Sequence, residues 1–292
     1  MDMFLEQLSN GLALGSIYAL TAIGYTMVYG IIRLINFAHG DIYMVGAFLS
    51  LTALTLFNMP LVPAFIFGMV GAALFGIAIA KFAYSPVFKA PRINLFLSAV
   101  GVAIFLENFA MLVWGPETQS FPDVITNKVY NILGLRITTL QLIILGTTIV
   151  LVAILTYVVQ YTKFGRAMRC TSQDMDTAKL MGINTNRVVF FTFAIGSSLG
   201  AAAGILVGMY YKAVFPMMGF VPGLKAFIAA VIGGVGSIPG AMIGGLIMGI
   251  SESLGAAYIS SGYRDAIAFI ILILILLVKP DGLFGKSIKE KI

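Results

Sequence analysis

Four long stretches of this chain carry no ionised side chain. Residues 42–80, 137–162, 188–211 and 226–251 contain no Asp, Glu, Lys or Arg. A helix rises ~1.5 Å per residue, so about 20 apolar residues cross a ~30 Å hydrocarbon layer. Each stretch is long enough for one span, and 42–80 is long enough for two with a turn at Asn58-Met59-Pro60. The runs are continuous rather than alternating, which excludes a β-barrel. Composition agrees: of 292 residues, 60% are hydrophobic and 10% charged, against about 25% charged in a soluble domain. The hydrophilic stretches are too short to build a core of their own. The expected fold is all-α: a polytopic helical membrane protein of about eight or nine spans, some broken or re-entrant, in one domain over 1–292.

The expected spans are 8–32, 41–58, 61–83, 93–114, 139–160, 188–211, a broken segment 221–257, and 263–279. The N-terminal run Met1-Asp2-Met3-Phe4-Leu5-Glu6 has no basic region, so the first segment is expected to stay as a span. Cys170 is the single cysteine, which leaves no intramolecular disulfide. Gly-x-x-x-Gly recurs at Gly11/Gly15, Gly200/Gly204/Gly208, Gly236/Gly240/Gly244 and Gly245/Gly249. Such spacing predicts close helix packing, with dimerisation the other use of the motif.

Basic residues set the orientation. Lys81, Lys89 and Arg92 bracket one loop; Lys163, Arg166, Arg169, Lys179 and Arg187 occupy 161–187; Lys279, Lys286, Lys289 and Lys291 form the tail. These places, twelve of the eighteen basic residues, are expected on the cytoplasmic side, and loop 115–138 outside. Parity then requires 221–257 to cross twice or re-enter. Gly233-Gly234-Val235-Gly236-Ser237-Ile238-Pro239-Gly240 supplies the break, since Pro239 donates no backbone hydrogen bond. The same count puts the N-terminus outside.

No catalytic or metal constellation is visible, with one His and one Cys in the chain. Gly285-Lys286-Ser287 imitates the end of a phosphate-binding loop, but the required first glycine is Pro280. Any ATP is therefore expected on partner subunits, with no cofactor and no nucleic acid on this chain. Ile35-Asn36-Phe37-Ala38-His39-Gly40-Asp41 puts polar groups between two apolar runs. It suits a cytoplasmic turn with Asn36 or Asp41 capping the next helix, or a discontinuous helix lining a pathway. The second option makes Asn36, His39, Gly40, Gly233, Gly236 and Pro239 candidate pathway residues. Glu107 and Glu252 lie in or near apolar runs, either close to an interface or paired or functional in the membrane.

Loop 161–187 carries a helix-start signal, Thr171 with Asp174, and a glycine stop at Gly182. Asp174 and Asp176 suit the N-terminal end of the helix dipole and Lys179 the C-terminal end. Met175, Ala178 and Met181 recur on one side. The loop either touches anionic headgroups or docks a soluble partner; the capping and the apolar side favour docking.

Gly165-Arg166-Ala167 followed by Ala178-x-x-x-Gly182-Ile183-Asn184 resembles the coupling loop of ABC-importer permeases, with Asp176-Thr177-Ala178 in place of the usual Glu-Ala-Ala. Gly15-Ser16-Ile17-Tyr18-Ala19-Leu20, Gly24-Tyr25-Thr26-Met27-Val28-Tyr29-Gly30-Ile31, Ile35 to Gly40, Lys225-Ala226-Phe227 and Gly233 to Ala241 resemble the LivH-type permeases of branched-chain amino acid importers. The resemblance covers nearly the whole chain. It implies a transport subunit in the bacterial inner membrane, not an enzyme. The implied partners are a LivM-type second permease, two ATP-binding subunits docked on 161–187, a periplasmic substrate-binding protein, and lipid. It implies a coupling role for Gly165, Arg166, Asp174, Asp176, Ala178 and Gly182. A related branch carries urea or short amides, and a proton-coupled carrier using Glu107, His39 or Glu252 is a further alternative.

Overall fold

A computed structural model describes residues 2–33, 36–88, 90–132 and 135–285. Eleven α-helices are assigned among them: α1 (Asp2–Ile32), α2 (His39–Thr55), α3 (Leu61–Ile79), α4 (Arg92–Trp114), α5 (Thr139–Tyr161), α6 (Lys163–Gln173), α7 (Met175–Leu180), α8 (Thr185–Tyr211), α9 (Phe220–Gly233), α10 (Ile238–Tyr258) and α11 (Arg264–Val278). A π-helical turn, Ala80–Tyr84, extends α3. Seven helices among the described residues are long and apolar enough to cross a membrane. The chain is a polytopic helical membrane protein.

Two expected spans are shorter than a full crossing. α2 has 17 residues and α9 has 14, about 26 and 21 Å at 1.5 Å per residue. The expected broken segment 221–257 is two separate helices, α9 and α10, joined by a turn in which Gly234 (φ 98°) and Gly236 (φ 95°) take positive φ. Ser237 caps α10 by accepting from the Gly240 N–H at 3.2 Å. Pro239 lies in the first turn, where its missing N–H is no loss.

α1 is the axis of the bundle, buried along nearly all its length between α10, α8, α9 and α5. Its glycines make the closest approach. A Cβ on Gly11 would lie 2.8 Å from Ile250 Cα, and one on Gly15 2.9 Å from Leu246 Cα. In lipid, where apolar burial gives no net drive, such backbone proximity holds helices together. These Gly-x-x-x-Gly positions are thus used within the chain. α4, α5 and α11 form the periphery, with Leu112, Ile149 and Leu277 exposed.

The two ends of the bundle are distinct. At one end Arg33, after α1, donates to the Gln173 carbonyl of α6. At the same end Gly236 approaches Gly30, and the segment before the tail lies on the α9–α10 turn. There Leu283 N–H donates to Ile232 O at 2.8 Å and Phe284 N–H to Gly233 O at 3.0 Å, pairing carbonyls that end α9. At the other end, Ser9 reaches the Arg136 carbonyl and Gln141 reaches Asn10. Loop 161–187 and residues 282–285 therefore share an end, opposite loop 115–138, as the parity argument requires. Lys89 and the lysines at 286, 289 and 291 lie outside the described residues.

Loop 115–138 holds short strands that no alternation in the sequence announces. β1 (Gln119–Ser120) pairs antiparallel with β4 (Ala213–Val214), and β2 (Val129–Ile132) with β3 (Leu135–Thr138). Thr138 and Gln141 form a reciprocal capping box at the start of α5.

Candidate functional site

The connection from α1 to α2 folds back into the bundle. α1 ends at Ile32, yet His39 packs against Gly24, eight residues earlier, about 12 Å along the helix at 1.5 Å per residue. A Cβ on Gly24 would collide with the imidazole, and one on Gly200 of α8 would lie 3.3 Å from the same ring. Tyr25 stands edge-on to His39 with centroids 4.6 Å apart. The side chain of Asn36 is buried and accepts from the Tyr84 hydroxyl. Neither Asn36 nor Asp41 caps α2: its N-cap is Ala38, without a side-chain hydrogen bond. Ile35 lies outside the described residues.

α2 and α9 both begin inside the bundle, and their first turns touch. Gly40 and Gly219 are in backbone contact, and a Cβ on Gly223 would lie 3.1 Å from Gly40 Cα. Only residues without a Cβ let the two helix starts come this close. Beside this contact is a cavity of about 270 Å³ lined by Tyr25, Gly40, Asp41, Glu107, Gly219 and Phe220 together with aliphatic residues. Asp41 is buried, and its Oδ1 has no hydrogen-bond partner.

A second cavity of about 310 Å³ lies on the other side of the start of α9. Its wall carries a buried polar network. Lys225 Nζ is 2.9 Å from Glu252 Oε1 and 2.8 Å from Asp265 Oδ1, and Tyr18 OH donates to Glu252 Oε2 at 2.8 Å. The network ties α9 to α1, α10 and α11. Glu252 is thus a paired acid rather than an interfacial one. Lys225 was readable only as part of a family motif. Its physical signal is that it is the sole charged residue between Lys212 and Glu252.

The six candidate pathway residues do not converge. Gly40 lines the first cavity; Asn36 and His39 are packed behind it. Gly233, Gly236 and Pro239 lie at the α9–α10 turn, at the end of the bundle shared with residues 282–285. Asp41, Glu107 and Gly219 line the cavity without having been singled out as pathway residues.

The loop 161–187 is two helices, not one. α6 is capped by Thr162, whose hydroxyl accepts from the Gly165 N–H at 3.1 Å, and Gly165 is wedged against the last carbonyls of α5. Thr171 continues α6 and donates to the Ala167 carbonyl, so it is not the cap of the second helix. Asp174 is: its Oδ1 accepts from Asp176 N–H at 2.8 Å and Thr177 N–H at 3.0 Å. These donors, Thr177 first, hold the Asp174 carboxyl below the usual range. Asp176 pairs with Lys179 at 3.1 Å. Gly182 ends α7 with φ 82°. Met175 and Ala178 turn inward, Ala178 being buried, so the expected apolar docking stripe is corrected. The exposed apolar groups are at the tip, Leu180 at 87% and Met181 at 78% exposure, and Arg166 is also exposed.

The family model described as "Branched-chain amino acid transport system / permease component" matches residues 7–276. The chain belongs to this family. It is 44% identical to the high-affinity branched-chain amino acid transport system permease protein LivH of Escherichia coli K12, over 99% of this chain and 98% of that protein. It is 42% identical to BraD of Pseudomonas aeruginosa, a permease protein of the same description, over the same shares of each. A solved structure, PsaBC from Streptococcus pneumoniae in complex with Fab, superposes with a TM-score of 0.53 at 11% identity, covering 94% of this chain and 92% of that chain. At that identity the likeness is one of fold alone. Family membership makes this permease a transport component rather than an enzyme.

Proposed function

We propose that this permease is one of two membrane-spanning subunits of an ATP-driven importer of leucine, isoleucine and valine. What carries this reading is full-length identity of 44% to a permease of that named specificity. A LivM-type permease completes the pathway, two ATPases dock on the cytoplasmic face, and a periplasmic binding protein delivers substrate to the opposite end. The chain itself binds no ATP. The basic end of the bundle faces the cytoplasm of a bacterial inner membrane.

The geometry supports a lever. α7 presents exposed Leu180 and Met181 on a short, capped helix. α6 is fixed to α5 through Gly165 and to the end of α1 through Arg33 and Gln173. α1 in turn packs on α9 and α10. A displacement of the knob by an ATPase therefore reaches the helices around both cavities. ATP drives transport only because the two pathway states make different contacts with the ATPase pair.

The deciding experiment is uptake by proteoliposomes holding the complete complex. Leucine uptake should require both ATPases and binding protein, and excess valine should compete where urea does not. Uptake that survives omission of the ATPases would indicate a secondary carrier. Competition by urea alone would indicate the amide-transporting branch.

A further inference from the structure

We propose that the cavity between α1, α2, α4 and α9 is an ammonium-binding site, in which Asp41 and Glu107 receive the cationic amino group of the substrate as it passes through the bundle. The inference rests on the proposed function for the identity of the substrate, but not for the charge it must carry.

Two carboxyl groups line this cavity, Asp41 from the first turn of α2 and Glu107 from α4. Among the described residues neither has an ion-pair partner, and no lysine or arginine lines the cavity. The contrast with the neighbouring cavity is sharp: there the buried acid, Glu252, has Lys225 and Tyr18. Asp41 is only 4% exposed, and its Oδ1 is buried without a donor. A buried carboxylate oxygen with no donor, in a cavity lined by a second acid, is unfavourable. Proteins keep such an arrangement inside a membrane where something arrives to use it.

The remaining walls narrow what arrives. Val100, Ile104, Met217 and Leu224 are aliphatic or thioether groups, suited to a branched hydrocarbon side chain. A divalent metal wants six or more oxygen ligands, or a tetrahedral N/S set. No group of three or more metal-ligating side chains exists among the described residues. An organic ammonium with an apolar body matches both the acids and the walls. A charged group beside one exposed wall, Ile104 and Phe220 being more than half exposed, is bound weakly enough to leave.

The test uses the complete transporter with Cys170→Ser and Ala103→Cys, which puts one thiol on the cavity wall. The rate of its modification by N-ethylmaleimide is measured with leucine, isopentylamine, 4-methylpentanoate or urea present. Leucine and isopentylamine should slow modification at least five-fold; 4-methylpentanoate and urea should not. Asp41→Asn should abolish protection by the amine, Asp41→Glu should restore it, and Glu107→Gln should weaken it. Equal protection by 4-methylpentanoate, or amine protection that survives Asp41→Asn, overturns the site. The contrast between amine and acid is read in the Asp41 protein, so it stands even if Asp41→Asn fails to fold. ATP-driven leucine uptake by the unmutated complex reports on the transport reading separately. Uptake without amine protection sinks the site alone, and amine protection without leucine uptake sinks the substrate assignment alone.

Discussion

Lys225 and Glu252 show what a charge in an apolar run must do. Both are almost fully buried, and each is the other's main compensation, whereas Asp265 is largely exposed and adds little. Removing one partner leaves an unpaired buried charge, a loss of about 3–5 kcal/mol. Lys225→Met should therefore lower the thermal midpoint of the purified complex strongly. Lys225→Met with Glu252→Gln should recover much of that loss. Equal midpoints for the single and double variants would show that the pair is not the source of the stability. Asp174 works differently, because it is a cap. Its folded pKa is depressed, so its stabilisation is present above the ordinary Asp value of about 3.9 and lost as pH falls through the lower folded value. Coupling of ATP hydrolysis to uptake should show no Asp174-dependent change between pH 5 and 8. Asp174→Asn, which preserves a capping acceptor, should retain coupling where Asp174→Ala loosens it; equal coupling in both variants would deny the cap a role.

At the scale of elements, the breaking signals at Gly182 and at 233–240 were legible, whereas the capping signals at Asn36, Asp41 and Thr171 were not. Gly182 was expected to end a helix and does so at φ 82°, with open space where a Cβ would be. Gly182→Val should thus cost about 1–2 kcal/mol of local backbone strain rather than a clash. It should misplace the Leu180–Met181 tip. Hydrolysis that continues while uptake falls several-fold is the expected result, and Arg166→Glu should do the same from the exposed face of α6. Normal stoichiometry of ATP to leucine in both variants would remove the loop from the coupling path. Thr171 was misread for a local reason. A Thr-x-x-Asp spacing is satisfied equally by a threonine inside α6 followed by an aspartate that caps α7. Strand β1 escaped because it finds its partner, β4, more than ninety residues away, and β2 and β3 because four residues each are too few to show an alternation.

For the whole molecule, the decisive fact is which ends of the helices lie together. Residues 282–285 share an end with α6, so the last described residues and loop 161–187 lie at the same end of the bundle. Cys170 is exposed on α6 and offers a probe that needs no mutation. A membrane-impermeant maleimide should label it in inverted vesicles stripped of ATPases, and not in intact spheroplasts. Labelling from the outer side would reverse the topology. Docked ATPases should slow the reaction in inverted vesicles if the knob lies in their interface.

Length and the placement of charge were enough to establish a helical membrane protein, the pairing of loops by side, and the break between α9 and α10. Those properties follow from transfer energies and backbone chemistry, which act on each segment by itself. The depth at which a chain segment comes to rest is different, because it depends on what packs against it. Only the folded bundle shows that His39 returns to the level of Gly24, that the starts of α2 and α9 touch at Gly40 and Gly219, and that Glu252 meets Lys225. It also moves the break at 233–240 to the end of the bundle, away from the cavity beside Asp41. Long-range contacts between small residues decide these positions, and a glycine reads the same in sequence whether it faces lipid, a turn or another backbone.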